Sequence, residues 1–380
     1  VFKPFDAKAW QAAGAMPEAR TRWLSRTGAL AVAALALVVA PGSAGGEDPL
    51  AAEIGRWSAF VSGTTTDDAT WKQIKEPSET ALARAREALA AGRRLLALQR
   101  LASARADLSA WAYLQASPAA ARKELAAFES EWTRMGGALA EDLAPPAVAR
   151  LEGVRPAALR ALAEAALPQV RVFYDASLEY GRNTMPEYGL FYLGSAQAQR
   201  ELAAFYRTLS AGPPQATPPL RSLAGELEAL EAELLALYRP PAAIDRHREF
   251  IGASAALKEA RELDGLGLRY GALLRYLQAT LRVAPLRPAA PVGGAELAER
   301  LRELRARLAA GNVDHSLGRL FVEAAEAELT APTPAPAPAN APAIVSDLLP
   351  RYLAALEPAR PGASRPEPRV TVTLVRWPYT

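Results

Sequence analysis

Apolar residues recur at every third or fourth position through most of the chain, in long runs punctuated by proline and glycine. That period belongs to amphipathic helices. Trp71, Ile74, Leu82 and Leu89 share one helical face, and Asp67 and Asp68 stand before it as capping residues. The pattern predicts helices over 67–90, 93–115, 118–135, 147–153, 155–182, 186–210, 218–239, 242–284, 294–310 and 314–330. The third is expected to end at Gly136-Gly137, the eighth to break near Gly265-Leu266-Gly267, and the last to start from Asp314 as its N-cap. A short helix over 344–356 follows. Over Arg369 to Trp377 the period changes to two, with Val370, Val372 and Leu374 alternating with Thr371 and Thr373, as in a strand. A lone strand cannot satisfy its own backbone groups, so it is expected to pair within the chain or with a partner. The predicted fold is all-α: about ten helices packed antiparallel as a bundle or short α-solenoid, a proline-linked C-terminal helix and one short terminal strand.

Proline-rich stretches set the expected boundaries. Ala211–Pro219 holds four prolines and divides an N-terminal helical region, 45–212, from a C-terminal one, 213–330, expected to pack on it. Residues 331–342 alternate proline with small residues as a semi-rigid spacer, and 343–380 carry the last helix and the strand. The helices on either side of Ala90-Ala91-Gly92, with glycine at the turn and alanine at close-approach positions, resemble a tetratricopeptide-type hairpin. The resemblance covers this one hairpin and has no sister at a 34-residue period. It implies antiparallel packing of the two helices.

Residues 1–44 read differently. Arg20, Arg22 and Arg26 precede an apolar run from Gly28 to Ala40, and Pro41-Gly42-Ser43-Ala44 follows. A charged segment, a short apolar core and small residues form a signal peptide, with cleavage expected after Ala44 and a periplasmic or secreted mature chain. The apolar run is shorter than the roughly 20 residues that span a bilayer, so no transmembrane helix is expected in the mature chain. A start at Met16 would give a leader of ordinary length.

Composition narrows the function classes. The 380 residues contain no cysteine, which removes disulfides, thiol catalysis, thiolate metal sites and a cysteine-linked lipid anchor. Only six of the 44 basic residues are lysine; with the alanine and proline excess, the arginine content reflects coding bias rather than guanidinium chemistry. The pI near 9.1 comes from the leader, which holds five basic and two acidic residues and leaves 39 of each beyond it. Without a basic surplus, no nucleic-acid partner is expected.

Reactive constellations are sparse. His247 and His315 are the two histidines, and neither has the Glu three residues earlier that a helical di-iron site needs. Ser254 sits in Gly252-Ala253-Ser254-Ala255-Ala256, which lacks the closing glycine of a nucleophile elbow. Glu129-Ser130 in a helix is the one feature shared with helical lytic transglycosylases, and Glu131-Trp132-Thr133-Arg134 shows nothing further of that family. No cofactor or metal is expected. Arg84, Arg86, Arg93, Arg94, Arg100 and Arg105 make one hairpin basic, and Glu226, Glu228, Glu231 and Glu233 make one helix acidic. These could pair, or the basic hairpin could meet an anionic envelope surface; the bland reading is a solvated face.

Eight of the 27 aromatic residues fall between positions 173 and 206, interleaved with charged and amide groups. Tyrosine at helical spacing commonly serves as core with a wet hydroxyl. Tyrosine and arginine also dominate binding hot spots. Tyr174, Tyr180, Arg182, Asn183, Tyr188 and Tyr192 are therefore the candidate binding residues. The expectation is an exported, non-catalytic helical interaction protein with a protein or cell-envelope partner. The alternative is an exported helical enzyme acting on glycans through carboxylates, a glycosidase or lytic transglycosylase.

Overall fold

Asp68 accepts hydrogen bonds from the amides of Thr70 (2.7 Å) and Trp71 (3.2 Å), and the helix it caps runs from Ala69 to Ala90. The computed structural model describes residues 48–117, 119–120, 124–142, 150–210, 216–240, 244–287, 293–310, 312–330 and 340–357. The expected leader and cleavage site, most of the proline-alanine stretch and the expected terminal strand lie outside the described residues.

Twelve helices occur among the described residues, with no strand. In chain order they are α1 (Pro49–Gly63), α2 (Ala69–Ala90), α3 (Arg94–Ala116), α4 (Leu125–Asp142), α5 (Ala157–Asn183), α6 (Pro186–Thr208), α7 (Ala224–Leu237), α8 (His247–Gly265), α9 (Arg269–Val283), α10 (Gly294–Ala309), α11 (Ser316–Leu329) and α12 (Leu349–Leu356). A helical turn, Ala341–Ala343, and a π-helical turn, Ile344–Leu348, lead into α12. No described helix is long and apolar enough to cross a membrane.

The sequence pattern located most of these helices; α1 was not among the predicted ones, and α4 and α7 differ at a boundary. Helix α4 continues through Gly136-Gly137 to Asp142 instead of stopping there. Gly136 serves packing: a Cβ at this position would collide with the Tyr174 hydroxyl. The acidic helix α7 starts at Ala224, not near 218: residues 217–223 form no helix after a parallel bridge between Ala216 and Val313. Pro218 and Pro219 disfavour a helical conformation of the residues before them. The expected break after α8 is present, with Gly267 at φ +78° closing the helix.

Three hairpins dominate the packing. Helices α2/α3, α5/α6 and α8/α9 each pair along their length, α3 lies on α6, and α9 lies on α5. The order across the molecule is thus α2, α3, α6, α5, α9, α8. Gly194 brings α6 onto α3, where an added Cβ would meet the Ala110 backbone at 2.7 Å. Helix α4 rests on α5 and α6, and α11 on α3 and α5. One apolar core runs through all of these, from Leu50 to Ala355.

Several helix starts have no cap of their own and take one from another helix. The first amides of a helix lack intrahelical acceptors and carry partial positive charge, so a carboxylate there is stabilising. Asp314 is fully buried; its Oδ2 accepts from the Ala157 amide at 2.6 Å and its Oδ1 from Ser316 at 2.9 Å, so it caps both α5 and α11. The Ser316 hydroxyl accepts from the Ala158 amide at 2.8 Å. Glu164 of α5 accepts from the Gly271 amide of α9 at 2.8 Å while Arg160 holds its other oxygen at 2.6 Å. Burial pushes the Glu164 carboxyl above the ordinary carboxylate range against both bonds. Asp264 of α8 accepts from Leu223 at the start of α7 (3.1 Å), and Glu323 of α11 from Leu96 in the first turn of α3 (2.9 Å). These bonds tie helices far apart in sequence to fixed relative positions.

The C-terminal helix is seated by a ring of alternating charges. Arg287 binds Glu233 of α7 and Asp347 of the π turn, each at 2.6 Å. Arg351 of α12 closes the ring to Asp347 at 2.6 Å and to Glu233 at 3.0 Å. Ile344, Leu348, Leu349 and Tyr352 are buried beneath it. The ring fixes register, and the apolar face supplies most of the holding energy.

Candidate functional site

The α5–α6 turn is held by backbone geometry before any side chain is considered. The amides of Thr184 and Met185 both donate to the Tyr180 carbonyl, at 3.0 and 3.2 Å, which closes α5. Pro186 opens α6 at the position where a missing amide costs least. Just inside the turn, Gly181 and Gly189 face one another, and an added Cβ on Gly189 would come within 2.7 Å of the Gly181 Cα. The ring of Phe128, from α4, lies over both glycines and is fully buried. A Cβ on either glycine would collide with it. The turn is therefore clamped between its own backbone and one aromatic wedge.

The six expected binding residues separate into two sets. Arg182 and Asn183 are exposed at the tip. The Arg182 Nε donates to Glu129 Oε1 of α4 at 2.7 Å, and the Asn183 side chain has no hydrogen-bond partner among the described residues. Tyr180 and Tyr188 are half-buried beside them. Burial raises the Tyr188 hydroxyl above the ordinary tyrosine pKa, and the neighbouring Glu187 charge adds to this. Tyr174 and Tyr192 are each only 5% exposed. Tyr192 stacks under Tyr180 at 4.5 Å, and Tyr174 stacks on Trp132 at 4.7 Å while donating to the Trp132 carbonyl at 3.1 Å. Those two tyrosines belong to the core that supports the turn, and the accessible set is Tyr180, Arg182, Asn183 and Tyr188.

Helix α4 contributes neighbours that sequence reasoning passed over. Phe128, Trp132 and Met135 lie on one helical face, a spacing that was readable. On the adjoining face Glu131 accepts from Arg134 at 2.6 Å and from the Tyr113 hydroxyl. The Arg134 bond holds the Glu131 carboxyl below its ordinary range, so it is a hydrogen-bond acceptor at neutral pH. An exposed guanidinium held by the Glu129 carboxylate, a primary amide and two phenols make a surface equipped for directional hydrogen bonding.

The remaining expected features are engaged elsewhere. In the basic hairpin, Arg94 pairs with Asp48, Arg93 donates to Thr330 at 3.1 Å, and buried Arg105 sits between Glu53 (3.3 Å) and Glu201 (3.4 Å). In the acidic helix, Glu226 pairs with Arg221, Glu231 with Arg261, and Glu233 with Arg287 and Arg351. The two charge runs thus serve different helices and not one another. Exposed His247 bonds to the Tyr238 hydroxyl at 2.8 Å. His315 stands at the start of α11, 3.3 Å from the Tyr352 hydroxyl, and burial lowers its pKa from the ordinary histidine value. No three His, Cys, Asp or Glu side chains among the described residues converge as a metal site requires. An open recess beside Thr64–Asp67 is lined by Ser62, Lys72 and Lys75 as well, with Asp67 its one carboxylate.

The chain matches no protein-family model, and comparisons with curated proteins and with solved structures return no match either.

Proposed function

We propose that this chain is an exported, non-catalytic helical scaffold of the cell envelope that binds a protein or envelope component through the α5–α6 turn. The observation that carries the reading is the turn itself: Tyr180, Arg182, Asn183 and Tyr188 stand together on a hairpin end clamped by Phe128. A surface fixed before binding loses little entropy when a partner arrives, and tyrosine and arginine are the side chains that concentrate binding energy. Most acidic groups of the helical body are engaged in caps and ion pairs that position helices, which supports a scaffolding role. The row of paired helices supports an open arrangement of hairpins in which the two halves of the chain join across α5 and α9. Export rests on the arginine-flanked apolar segment at 20–44.

The test is capture from an envelope extract, with the chain and its variants as bait. Arg182→Ala and Asn183→Ala together should weaken capture by about 1–3 kcal/mol per hot-spot residue, tenfold or more, and shift the melting temperature little because both are exposed. Tyr180→Ala should lower both binding and stability, since it also removes the stack on Tyr192. Undiminished capture by the Arg182/Asn183 double variant would reject the turn as the binding surface.

A further inference from the structure

The corner where α7 gives way to α8 exposes apolar side chains that the fold leaves uncovered. Leu235 near the end of α7 and Ile244 before α8 are each 59% exposed, the most exposed large aliphatic residues among those described. They are not surplus to a loose corner. Tyr238 and Phe250 stack at 4.2 Å, and the Tyr238 hydroxyl meets His247 Nδ1 at 2.8 Å, which joins the end of α7 to the start of α8. Leu235 lies one helical turn before Tyr238, and Ile244 one turn before His247.

Charge gives this corner its sign. Most of the described arginines donate to a carboxylate, an amide or a backbone carbonyl, as the ion pairs above illustrate. Arg246 and Arg248 are exposed and make no hydrogen bond or ion pair among the described residues. Arg248 is also close enough to Arg282, at the end of α9, for the two to repel. Against these three guanidinium groups stand exposed Asp245, half-buried Glu249 and, facing Arg282, half-buried Glu259, which Arg275 already holds at 2.9 Å. Like charges gathered without partners cost free energy unless an anion is supplied from outside.

We propose that this corner docks the protein on an anionic phospholipid surface, with Ile244 and Leu235 entering the acyl boundary and Arg246, Arg248 and Arg282 meeting lipid phosphates. The combination fits that occupant: exposed aliphatic side chains, an aromatic pair joining the two helix ends that carry them and guanidinium groups without hydrogen-bond partners alongside. Arginine presents a planar fork that matches phosphate oxygens in pairs. The site is separate from the α5–α6 turn and does not depend on that turn's role.

The experiment uses the full chain with vesicles of phosphatidylcholine alone or containing about one-third phosphatidylglycerol. Hydrogen exchange localises the contact. Amides in the first turn of a helix have no intrahelical acceptor and exchange quickly in the free protein. Those of residues 244–250 should slow roughly tenfold with anionic vesicles, recover in about 0.5 M salt and respond little to phosphatidylcholine. In sedimentation, Ile244→Glu, Leu235→Glu and the double change Arg246→Glu/Arg248→Glu should each lower this salt-sensitive binding about tenfold at unchanged helix content. The proposal is overturned if the 244–250 amides do not slow, or if all three variants bind like the parent. A dimer lost with Ile244→Glu would assign the corner to a second copy of the chain and overturn it equally.

Discussion

Phe128→Ala is expected to destabilise the protein by about 3–5 kcal/mol, the range found when a buried phenylalanine is truncated to alanine. The ring is fully buried and fills the space left by two glycines on facing helices, so no side chain is at hand to occupy the void. Phe128→Leu keeps most of the volume and should cost about 1 kcal/mol. Chemical denaturation of the two variants measures the difference, as a lowered midpoint at unchanged slope. The same change should also weaken capture of the partner, because Phe128 sets the spacing of α5 and α6 below the turn. Equal, small effects of both substitutions would mean that the glycine pair closes on itself and needs no wedge.

Asp314→Ala should cost about 3 kcal/mol, an unusual amount for a capping residue. One ordinary cap contributes about 1 kcal/mol. Here two buried oxygens satisfy the starts of two helices, at 2.6 Å to Ala157 and 2.9 Å to Ser316, and removal strands both amides away from water. An orphaned buried donor costs about 1–3 kcal/mol. Asp314→Asn retains one acceptor oxygen and should recover roughly half of the loss. Denaturant melts of the two variants decide this, and an alanine variant within about 1 kcal/mol of the parent would show that water or a neighbour replaces the carboxylate.

The helices were legible because proline, glycine and capping residues punctuate the chain so regularly. Asp68 and Gly267 stand where local rules place them. The misreadings arose where a residue serves a distant neighbour. Gly136 looks like a helix terminator in sequence, yet it admits the Tyr174 hydroxyl from another helix. Asp314 was readable as the cap of α11, but its bond to Ala157 spans 157 residues, and no local pattern encodes it. Asp264, Glu164 and Glu323 lie within helices and resemble members of a solvated face until the helix start opposite each is in place. The aromatic cluster divides for a similar reason. Tyr174 and Tyr192 carry the same local signal as Tyr180 and Tyr188, and only the stack on Trp132 and the course of α6 turn two of them inward.

The claim that the α5–α6 turn is a recognition surface is tested most directly by a photoreactive side chain placed at Asn183, in cells that express the full chain. Asn183 is exposed and its side chain makes no hydrogen bond among the described residues, so the change leaves the fold intact. Arg302 of α10, exposed and paired only within its own helix to Glu299, provides the control position. Irradiation should give a discrete cross-linked species from position 183 and none from 302, and adding Arg182→Ala should diminish it. Absence of a discrete product at 183, or the same products from both positions, would contradict the account.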